Sequence, residues 1–389
     1  MSELRHLIVG GGMTGHAAAA AIRELDADAR ITLLSAEGDR PYARPPLSKG
    51  LWLGKEEASI WLADVPGITF LGGTRAVALD LAAREVRDDA GGAHRYDRLL
   101  LATGGAPRKL PFGGERVIYF RTLADFRRLR AVSGRRVVVI GGGFIGSELA
   151  AALAANGREV SMVFPEGAVG ANVYPADLAG AVTRLFQERG VRLLAGDTVA
   201  AVEARGAETL VRTRAGVELR ADVVVAGLGI APELALARAA GIRCGDGIEV
   251  DAHLGTSAAD VFAAGDVARF PCAALGGSAR VEHEDAALTM GRCAGRNMAG
   301  GAEPYDHLPF FYSDLFDLGY EAVGRLDARL ETVASWRTPY REGVVYYLDG
   351  DRVRGVLLWG IFGQVDAARA LVAGRRAVPR DALQSAIPG

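Results

Sequence analysis

Short apolar runs alternate with glycine-rich turns and helix-favouring stretches along the first half of the chain. The apolar run 4–9 leads into a glycine turn at 10–15, an alanine-rich stretch follows at 16–24, and a second apolar run spans 31–34. This order of strand, glycine turn, helix and strand is typical of the opening of a doubly wound parallel sheet. We therefore predict a Rossmann-like unit at the start of the chain.

The same pattern returns 131 residues later. A strand is predicted at 136–140, a glycine turn at 141–146, a helix at 147–156 and a strand at 159–164. The sequence therefore predicts two dinucleotide-binding openings in one α/β chain. Other apolar runs predict further strands, at 76–79, 96–102, 223–226 and 261–264.

The composition of the chain changes after about residue 304, where aromatic residues become frequent. Alternating apolar and polar positions at 343–348 and 354–359 predict antiparallel strands. We expect this region to form a separate C-terminal α+β domain with an antiparallel sheet.

Composition narrows the class of protein. The 389 residues carry a net charge of −2, so no basic excess indicates a nucleic-acid partner. The three cysteines, Cys244, Cys272 and Cys293, form no metal-ligand pattern and are sparse, as in proteins of reducing compartments. No apolar run is long enough for a membrane span. We expect a cytoplasmic protein that binds no metal, no membrane and no nucleic acid.

The first glycine turn has the spacing G-x-G-x-x-G at Gly10, Gly12 and Gly15. Such a turn lets the backbone approach a pyrophosphate, which the following helix N-terminus attracts. Glu37 lies 22 residues after Gly15 and is the candidate for the ribose-binding acid, although Ala36 is closer to the expected strand end.

The second turn repeats the spacing at Gly141, Gly143 and Gly146, with Glu166 lying 20 residues later as the acid. A 2′-phosphate would favour arginine or lysine at this place, and none occurs between Ser161 and Asp177. The second site is therefore predicted to bind NADH rather than NADPH.

Two smaller signatures assign the first site. The run 99–102 ends in a small-residue turn that contains Thr103 and Gly104, and the run 261–264 ends in Gly265-Asp266. An aspartate there can accept hydrogen bonds from the sugar-alcohol chain of a flavin, although it can also be a helix N-cap. We read the first site as an FAD site.

The order of these four signatures resembles the two-dinucleotide-binding flavoproteins, the superfamily of glutathione reductase. The string P-Y-x-R-P-P-L-S-K at 41–49 resembles the ferredoxin-reductase and apoptosis-inducing-factor branch, as do 120–127, GGGFIGSELA at 141–150, 281–283 and 312–322. The disulfide-reducing branch carries a redox cysteine pair early in the chain, and this chain has no cysteine before Cys244.

The resemblance implies an FAD domain that is split around an inserted NAD domain. The expected segments are 1–110 and 231–303 for FAD, 111–230 for NAD and 304–389 for the C-terminal domain.

The resemblance also implies roles for individual residues. FAD contacts are expected from Gly10, Gly11, Gly12, Met13, Thr14, Gly15, Glu37, Arg44, Lys49, Val77, Thr103, Gly104, Arg121, Gly265, Asp266, His283, Glu284 and Tyr312. NAD contacts are expected from Gly141, Gly142, Gly143, Phe144, Ile145, Gly146, Glu166, Gly227, Glu282, His283 and Glu321. Lys49 and Glu148 would form an ion pair near flavin N5, and Phe144 would cover the flavin face until nicotinamide binds.

Some residues depart from the family pattern. Ala36 stands where an acid is frequent, Glu284 replaces a histidine, Tyr312 replaces a tryptophan and Asn172 stands where a lysine helps to hold NAD. These departures fall at cofactor contacts and leave the two glycine turns intact.

Three functions are compatible with these features. In the first, hydride passes from NADH to FAD and electrons continue to a ferredoxin, a rubredoxin, a quinone or oxygen. In the second, a slowly turning-over NADH sensor forms a long-lived charge-transfer complex. Monodehydroascorbate reduction is a third. The basic run 127–130 is read as a solvated helix face or, alternatively, as a docking surface for an acidic iron–sulfur carrier. A monomer or homodimer is expected.

Overall fold

A computed structural model describes residues 4–206, 208–374 and 378–387. The strands, in chain order, are β1 Arg5–Val9, β2 Arg30–Ser35, β3 Ile68–Gly72, β4 Ala76–Asp80, β5 Glu85–Asp88, β6 Ala93–Arg95, β7 Arg98–Leu101, β8 Gly105–Pro107, β9 Val117–Tyr119, β10 Arg136–Ile140, β11 Glu159–Phe164, β12 Arg192–Ala195, β13 Val199–Arg205, β14 Glu208–Thr213, β15 Glu218–Ala221, β16 Val223–Ala226, β17 Ile230–Pro232, β18 Ile248–Glu249, β19 Val261–Ala263, β20 Ala268–Cys272, β21 Gly277–Ala279, β22 Phe310–Leu315, β23 Leu318–Gly324, β24 Glu331–Thr338, β25 Glu342–Asp349 and β26 Arg352–Trp359.

The α-helices are α1 Met13–Leu25, α2 Leu123–Arg130, α3 Phe144–Ala155, α4 Ala176–Glu188, α5 Ala235–Ala239, α6 Glu284–Met298, α7 Val365–Ala373 and α8 Arg380–Leu383. In the described part of the chain, none of the helices is both long and apolar enough to cross a membrane.

The chain divides into two compact units, each assembled from separate segments. One unit comprises Met1–Arg44, Glu57–Ala106 and Ala231–Pro309, and the other comprises Pro45–Glu56, Pro107–Ile230 and Phe310–Gly389. The four domain segments expected from the sequence stay a prediction.

The first unit is built on a parallel sheet in the order β19-β7-β1-β2-β3. Its central strands are apolar on both faces, as parallel strands covered on both sides must be, and Ile8, Leu33 and Leu100 are fully buried. The carboxyl ends of β1, β7 and β19 lie side by side in register, so the loops that follow these strands meet at one edge.

The second unit contains a parallel sheet in the order β12-β11-β10-β16-β9 and an antiparallel sheet in the order β22-β23-β26-β25-β24. Helix α3 packs against both β11 and β22, so it links the two sheets of this unit. The parallel Rossmann-like sheets and the antiparallel C-terminal sheet confirm the predicted fold class.

Candidate functional site

The first glycine turn joins β1 to α1 by close backbone packing that leaves no space for a side chain at Gly10 or Gly15. Gly10 has a φ of +124°, and a Cβ there would lie 2.0 Å from the Ala102 carbonyl oxygen. A Cβ on Gly15 would lie 2.0 Å from the Gly10 carbonyl oxygen. Glycine at these positions therefore keeps strand, turn and helix in close contact.

The N-terminus of α1 fits a pyrophosphate. Gly12 is its N-cap residue and supplies no side-chain cap for the first-turn N–H groups. A Cβ on Gly12 would lie 3.8 Å from the nearest atom, the Arg44 Nη2, so the space in front of the turn is open. Exposed N–H groups at the positive end of a helix dipole attract phosphate, and this turn also carries Gly11, Met13 and Thr14.

Glu37 and Arg44 lie together beside this turn. Arg44 forms an ion pair with Glu37, whose Oε2 also accepts a hydrogen bond of 2.5 Å from the Tyr42 hydroxyl. Burial opposes the Arg44 charge, but Tyr42 and Glu37 together raise the pKa of Arg44 above its usual value. The predicted ribose acid is thus oriented by a partly buried cation.

The Gly265-Asp266 signature lies against the first turn. Gly265 has a φ of +77°, and a Cβ there would lie 2.3 Å from Thr14 Oγ1. Asp266 is close enough to Arg44 and His283 to act on the charge of both. Burial lowers the pKa of His283 to about 4, so this ring is neutral at pH 7.

The other predicted cofactor residues of the first unit, including Glu282 from the NAD set, lie in separate local contacts. Thr103 donates a hydrogen bond of 2.9 Å to the Glu233 carbonyl, and Gly104 has a φ of +64°. Glu284 begins α6, and Glu282 is exposed and pairs with Arg280 at 2.9 Å. Val77 is 55% exposed on β4, a strand of a separate antiparallel sheet; its cofactor role stays a prediction.

The second glycine turn joins β10 to α3 in the same way. A Cβ on Gly146 would lie 2.0 Å from the Gly141 carbonyl oxygen, whereas a Cβ on Gly143 would meet no atom within 4 Å. A Cβ on Gly227, at the end of β16, would lie 2.8 Å from the Gly146 nitrogen. Gly146 and Gly227 are thus packed tightly on backbone, whereas Gly143 faces open space that fits a second pyrophosphate. Gly142 is packed against the Phe164 ring.

Glu166 follows β11 and lies in the second unit with this turn. Its Oε1 accepts a hydrogen bond of 2.9 Å from the Asn172 side-chain amide. Asn172, one of the departures from the family pattern, therefore orients the predicted ribose acid.

Aromatic residues surround the start of α3. Phe144, the first residue of the helix, is 42% exposed, and its ring meets Phe311 edge-on at 5.4 Å. Ile145 beside it is 40% exposed. Tyr312 lies beneath Lys49, with the Nζ at 5.3 Å from the ring centre. A large exposed aromatic at a helix N-terminus is suited to cover a flat ligand.

The expected pair of Lys49 and Glu148 is present. Lys49 Nζ lies 2.7 Å from Glu148 Oε2, and the two side chains are only 11% and 3% exposed. Ser48 donates a hydrogen bond of 2.6 Å to the same oxygen, and Ser313 donates one of 2.6 Å to Oε1. A buried carboxylate requires such partners, because an unpaired charge is strongly disfavoured away from water.

Two further predicted residues of the second unit are fixed by local contacts. Arg121 precedes α2, and its backbone N–H donates to Asp125, which also completes the capping box with Thr122. Glu321 on β23 accepts a hydrogen bond of 3.0 Å from the Gly363 N–H.

The cysteines do not resemble redox-active thiols. All three are free, and burial raises the pKa of each thiol, that of Cys293 to about 11. Reactive thiols have lowered pKa values in electropositive surroundings.

Sequence reasoning missed Ser48, Ser313 and Tyr42 as partners of the key carboxylates. Ser48 directly precedes Lys49, and Tyr42 lies in the same string as Arg44, so proximity to the motif was an available signal. Ser313 is distant from Glu148 along the chain, and only the folding of β22 against α3 brings the two together.

Comparisons with known proteins cover almost the whole chain. The family model of the pyridine nucleotide-disulphide oxidoreductases matches residues 4–291, and that of the C-terminal part of the mitochondrion-associated apoptosis-inducing factor matches residues 294–339 and 335–374.

Individual relatives agree with these matches. The ferredoxin–NAD(+) reductase component of the anthranilate 1,2-dioxygenase system of Burkholderia cepacia is 36% identical and covers 96% of this chain and 95% of its own. Apoptosis-inducing factor 1 of Dictyostelium discoideum is 32% identical over 97% of this chain and 80% of its own.

Among solved structures, the covalent complex of putidaredoxin reductase with putidaredoxin contains a similar chain, with a TM-score of 0.90 and 30% identity, covering 99% of this chain and 96% of that one. Sequence, structure and the two open glycine turns agree. The chain belongs to the pyridine nucleotide-disulphide oxidoreductase family and is therefore an oxidoreductase that binds FAD and NAD(P)H.

Proposed function

We propose that this chain is an NADH-dependent flavoprotein reductase that passes electrons to a small iron–sulfur protein without a redox-active disulfide. The observation that carries the proposal is the buried Lys49–Glu148 pair, held by Ser48 and Ser313 next to Phe144 and Tyr312. A fixed cation in a buried site can stabilise the negative charge of a reduced flavin.

When bound, FAD and NADH would supply the redox chemistry, namely transfer of a hydride between them and of electrons onward to the acceptor. The residues of this chain bind and orient them. We assign the turn 10–15, Glu37, Arg44 and Asp266 to FAD, and the turn 141–146, Glu166 and Gly227 to the nucleotide. Phe144 would cover the flavin and keep water from it until nicotinamide binds, as the family resemblance implies.

NADH is the proposed donor because an acid, Glu166, occupies the ribose position. Its carboxylate is oriented by Asn172 and would repel the 2′-phosphate of NADPH. The segment from Ser161 to Asp177 contains neither arginine nor lysine to neutralise that phosphate.

The iron–sulfur acceptor is proposed from the relatives. Two relatives have names that specify an iron–sulfur acceptor. They are putidaredoxin reductase of Pseudomonas putida, 32% identical, and the ferredoxin reductase subunit of a 5,5′-dehydrodivanillate O-demethylase, 33% identical. The absence of cysteine before Cys244 supports direct transfer from flavin. A cytoplasmic location stays a prediction from the sparse cysteines.

A second function, slow NADH sensing, is favoured by one observation. The C-terminal segments match the apoptosis-inducing-factor model, and these segments include Tyr312, predicted to contact FAD, and Glu321, predicted to contact NAD. In that function NADH would reduce FAD slowly, and the product would react poorly with every acceptor.

One experiment separates the two functions. The FAD-loaded protein is titrated anaerobically with NADH and, separately, with NADPH, and then mixed with a ferredoxin, cytochrome c, monodehydroascorbate or air. We expect rapid bleaching by NADH, slow bleaching by NADPH and fast reoxidation by the ferredoxin. Failure of NADH to bleach FAD would disprove the reductase function, and slow turnover with all acceptors would favour the sensor.

A further inference from the structure

Three hydroxyl groups form a buried chain that ends on Glu148. The Tyr174 and Tyr320 hydroxyls lie 3.1 Å apart, Tyr320 acts electrostatically on its cross-strand partner Ser313, and Ser313 Oγ lies 2.6 Å from Glu148 Oε1. Each of these four side chains belongs to a residue that is at most 4% exposed. Water therefore does not compete for these bonds.

The direction of the donors follows from the number of protons available. Ser313 has a single hydroxyl proton, and an ionised carboxylate can only accept, so this proton lies on the bond to Glu148. Tyr174 donates to Tyr320, and the proton left between Tyr320 and Ser313 is then that of the Tyr320 hydroxyl. Burial raises the pKa of both tyrosines, which keeps them protonated as donors.

The fold fixes each hydroxyl in this chain. Ser313 on β22 and Tyr320 on β23 are direct cross-strand partners, so their side chains share one face of the sheet. The Tyr320 ring stacks on Trp359 at 5.4 Å, and the Tyr174 ring meets both rings edge-on. Packed rings have little rotational freedom, so the hydroxyl positions are determined by the aromatic cluster.

A nearby tyrosine shows what a purely structural hydroxyl does. The hydroxyl of Tyr347 donates to the Val173 carbonyl at 2.8 Å and ends there. The chain from Tyr174 instead ends on a buried charged group, where hydrogen bonds are stronger and polarise one another.

We propose that Ser313, Tyr320 and Tyr174 are positioning residues that hold the Glu148 carboxylate and, through it, Lys49. The inference rests on the proposed function of the Lys49–Glu148 pair. Ser48 and Lys49 hold Oε2 from one side and Ser313 holds Oε1 from the other, so the carboxylate cannot rotate. Tyr320 and Tyr174 act only through Ser313.

The test compares Ser313→Ala, Tyr320→Phe and Tyr174→Phe with the control Tyr346→Phe. Tyr346 is equally buried in the same sheet, and among the described residues its hydroxyl makes no side-chain bond to this chain of hydroxyls. In anaerobic stopped-flow reduction by NADH, we expect the limiting rate to fall about tenfold for Ser313→Ala, since a bond to a charged group is lost. We expect the limiting rate to fall about threefold for Tyr320→Phe and less for Tyr174→Phe, because these hydroxyls act by polarising the bond from Ser313. The dissociation constant for NADH should change less than about twofold in each, as expected for a transition-state effect.

A second readout does not depend on NADH. The flavin midpoint potential, measured by dithionite titration against a reference dye, should fall in the same order, because a loosely held Lys49 stabilises the reduced flavin less. It should be unchanged in Tyr346→Phe. If NADH fails to reduce the wild-type enzyme, the proposed function is lost, but these potentials still decide the inference.

The double variant Ser313→Ala/Tyr320→Phe provides the sharpest criterion. It should be no slower than Ser313→Ala alone, since Tyr320 acts through Ser313. Ser313→Thr, which keeps the hydroxyl, should restore the rate and the potential. If a tyrosine variant does not fold, the comparison of Ser313→Ala with Ser313→Thr decides whether the Ser313 hydroxyl positions Glu148. The inference is overturned if the two effects add, if Ser313→Thr fails to rescue, or if Tyr320→Phe behaves as Tyr346→Phe.

Discussion

The ion pair of Lys49 and Glu148 places opposite charges in a nearly dry part of the second unit. Removing the lysine by Lys49→Met would leave Glu148 with hydroxyl partners only. We expect reduction of FAD by NADH to slow by on the order of a hundredfold, because a cation that stabilises developing charge is lost. The free energy of unfolding should fall by about 3 kcal/mol, because a buried carboxylate loses its counterion. Stopped-flow bleaching and urea unfolding measure the two effects.

Lys55 is the matched control for this substitution. It is an exposed lysine on the same short segment, so Lys55→Met should change neither the rate nor the stability measurably. An unchanged bleaching rate in Lys49→Met would show that the pair has no electrostatic part in the reaction.

His283 makes the stability of the protein depend on pH. Burial lowers its pKa from 6.5 to about 4, so in this range the unfolded chain binds a proton that the folded chain does not. Stability contributed by the neutral ring is therefore present above pH 6.5 and is lost as the pH falls toward 4. Between pH 7 and pH 5 we expect a loss of about 2 kcal/mol in the free energy of unfolding.

The variant His283→Gln should lack this part of the pH dependence. The exposed His253 provides the comparison, and His253→Gln should retain the wild-type slope in urea unfolding at pH 5, 6 and 7. If the free energy of unfolding depended on pH equally in the wild type and in both histidine variants, the titrating group would lie elsewhere.

At the residue scale the Lys49–Glu148 contact was predicted, but the hydroxyl groups that hold it were not. Lys49 and Glu148 were paired correctly, but the family resemblance carried that expectation, and their spacing did not. Ser313 could not be connected with Glu148, because it lies 165 positions further along the chain and reaches Glu148 only through the contact of β22 with α3.

At the scale of secondary-structure elements, each glycine turn has glycines that pack tightly on neighbouring backbone. Each also has one glycine, Gly12 or Gly143, that faces open space. In Gly146→Ala the new Cβ would lie 2.0 Å from the Gly141 carbonyl oxygen, so α3 must move away from β10. We expect a loss of about 2 kcal/mol in the free energy of unfolding, as for overpacking elsewhere. In Gly143→Ala the Cβ meets no atom within 4 Å and φ is −79°, so folding should be unaffected.

The two substitutions should therefore separate stability from nucleotide binding. Because a Cβ on Gly143 would enter the space in front of the turn, we expect NADH to bind about tenfold more weakly while bound FAD is retained. Equilibrium titration with NADH and urea unfolding distinguish the cases. Normal NADH affinity in Gly143→Ala would place the pyrophosphate elsewhere.

Strands with a clear apolar run were predictable, and two edge strands without one were not. Strands β10, β11 and β16 have the predicted bounds, because most of their positions are apolar and they lie in the middle of a parallel sheet. Helices α1 and α3 begin at residues 13 and 144, three residues before their predicted starts, since the glycine turns already contain their first turns. Strands β3 and β12 are half-exposed edge strands with no clean alternation, so periodicity gave no signal.

At the scale of the whole molecule, the N-terminal segment does not contain all the elements of the first unit. Its parallel sheet has β19 at one edge, and α1 packs along α6, both from residues after 231. The packing is close, since a Cβ on Gly291 would lie 2.5 Å from the Thr14 carbonyl oxygen and one on Gly295 2.4 Å from that of Ala18. Residues 1–110 alone would leave this face of α1 and one edge of the sheet exposed.

We therefore expect the fragment 1–110 to remain unfolded, although it contains the complete first glycine turn. A fusion of 1–106 to 231–309 through a flexible linker restores β19 and α6 and should unfold cooperatively in urea, because it contains the whole core of the unit. Far-UV circular dichroism and urea titration of the two proteins measure the difference. A fusion in which Gly291 and Gly295 are both replaced by valine keeps the length and should lose the transition, because α6 can no longer approach α1. Cooperative unfolding of 1–110 by itself would contradict this view, since the glycine turn and its neighbouring strands would then be sufficient to build the unit.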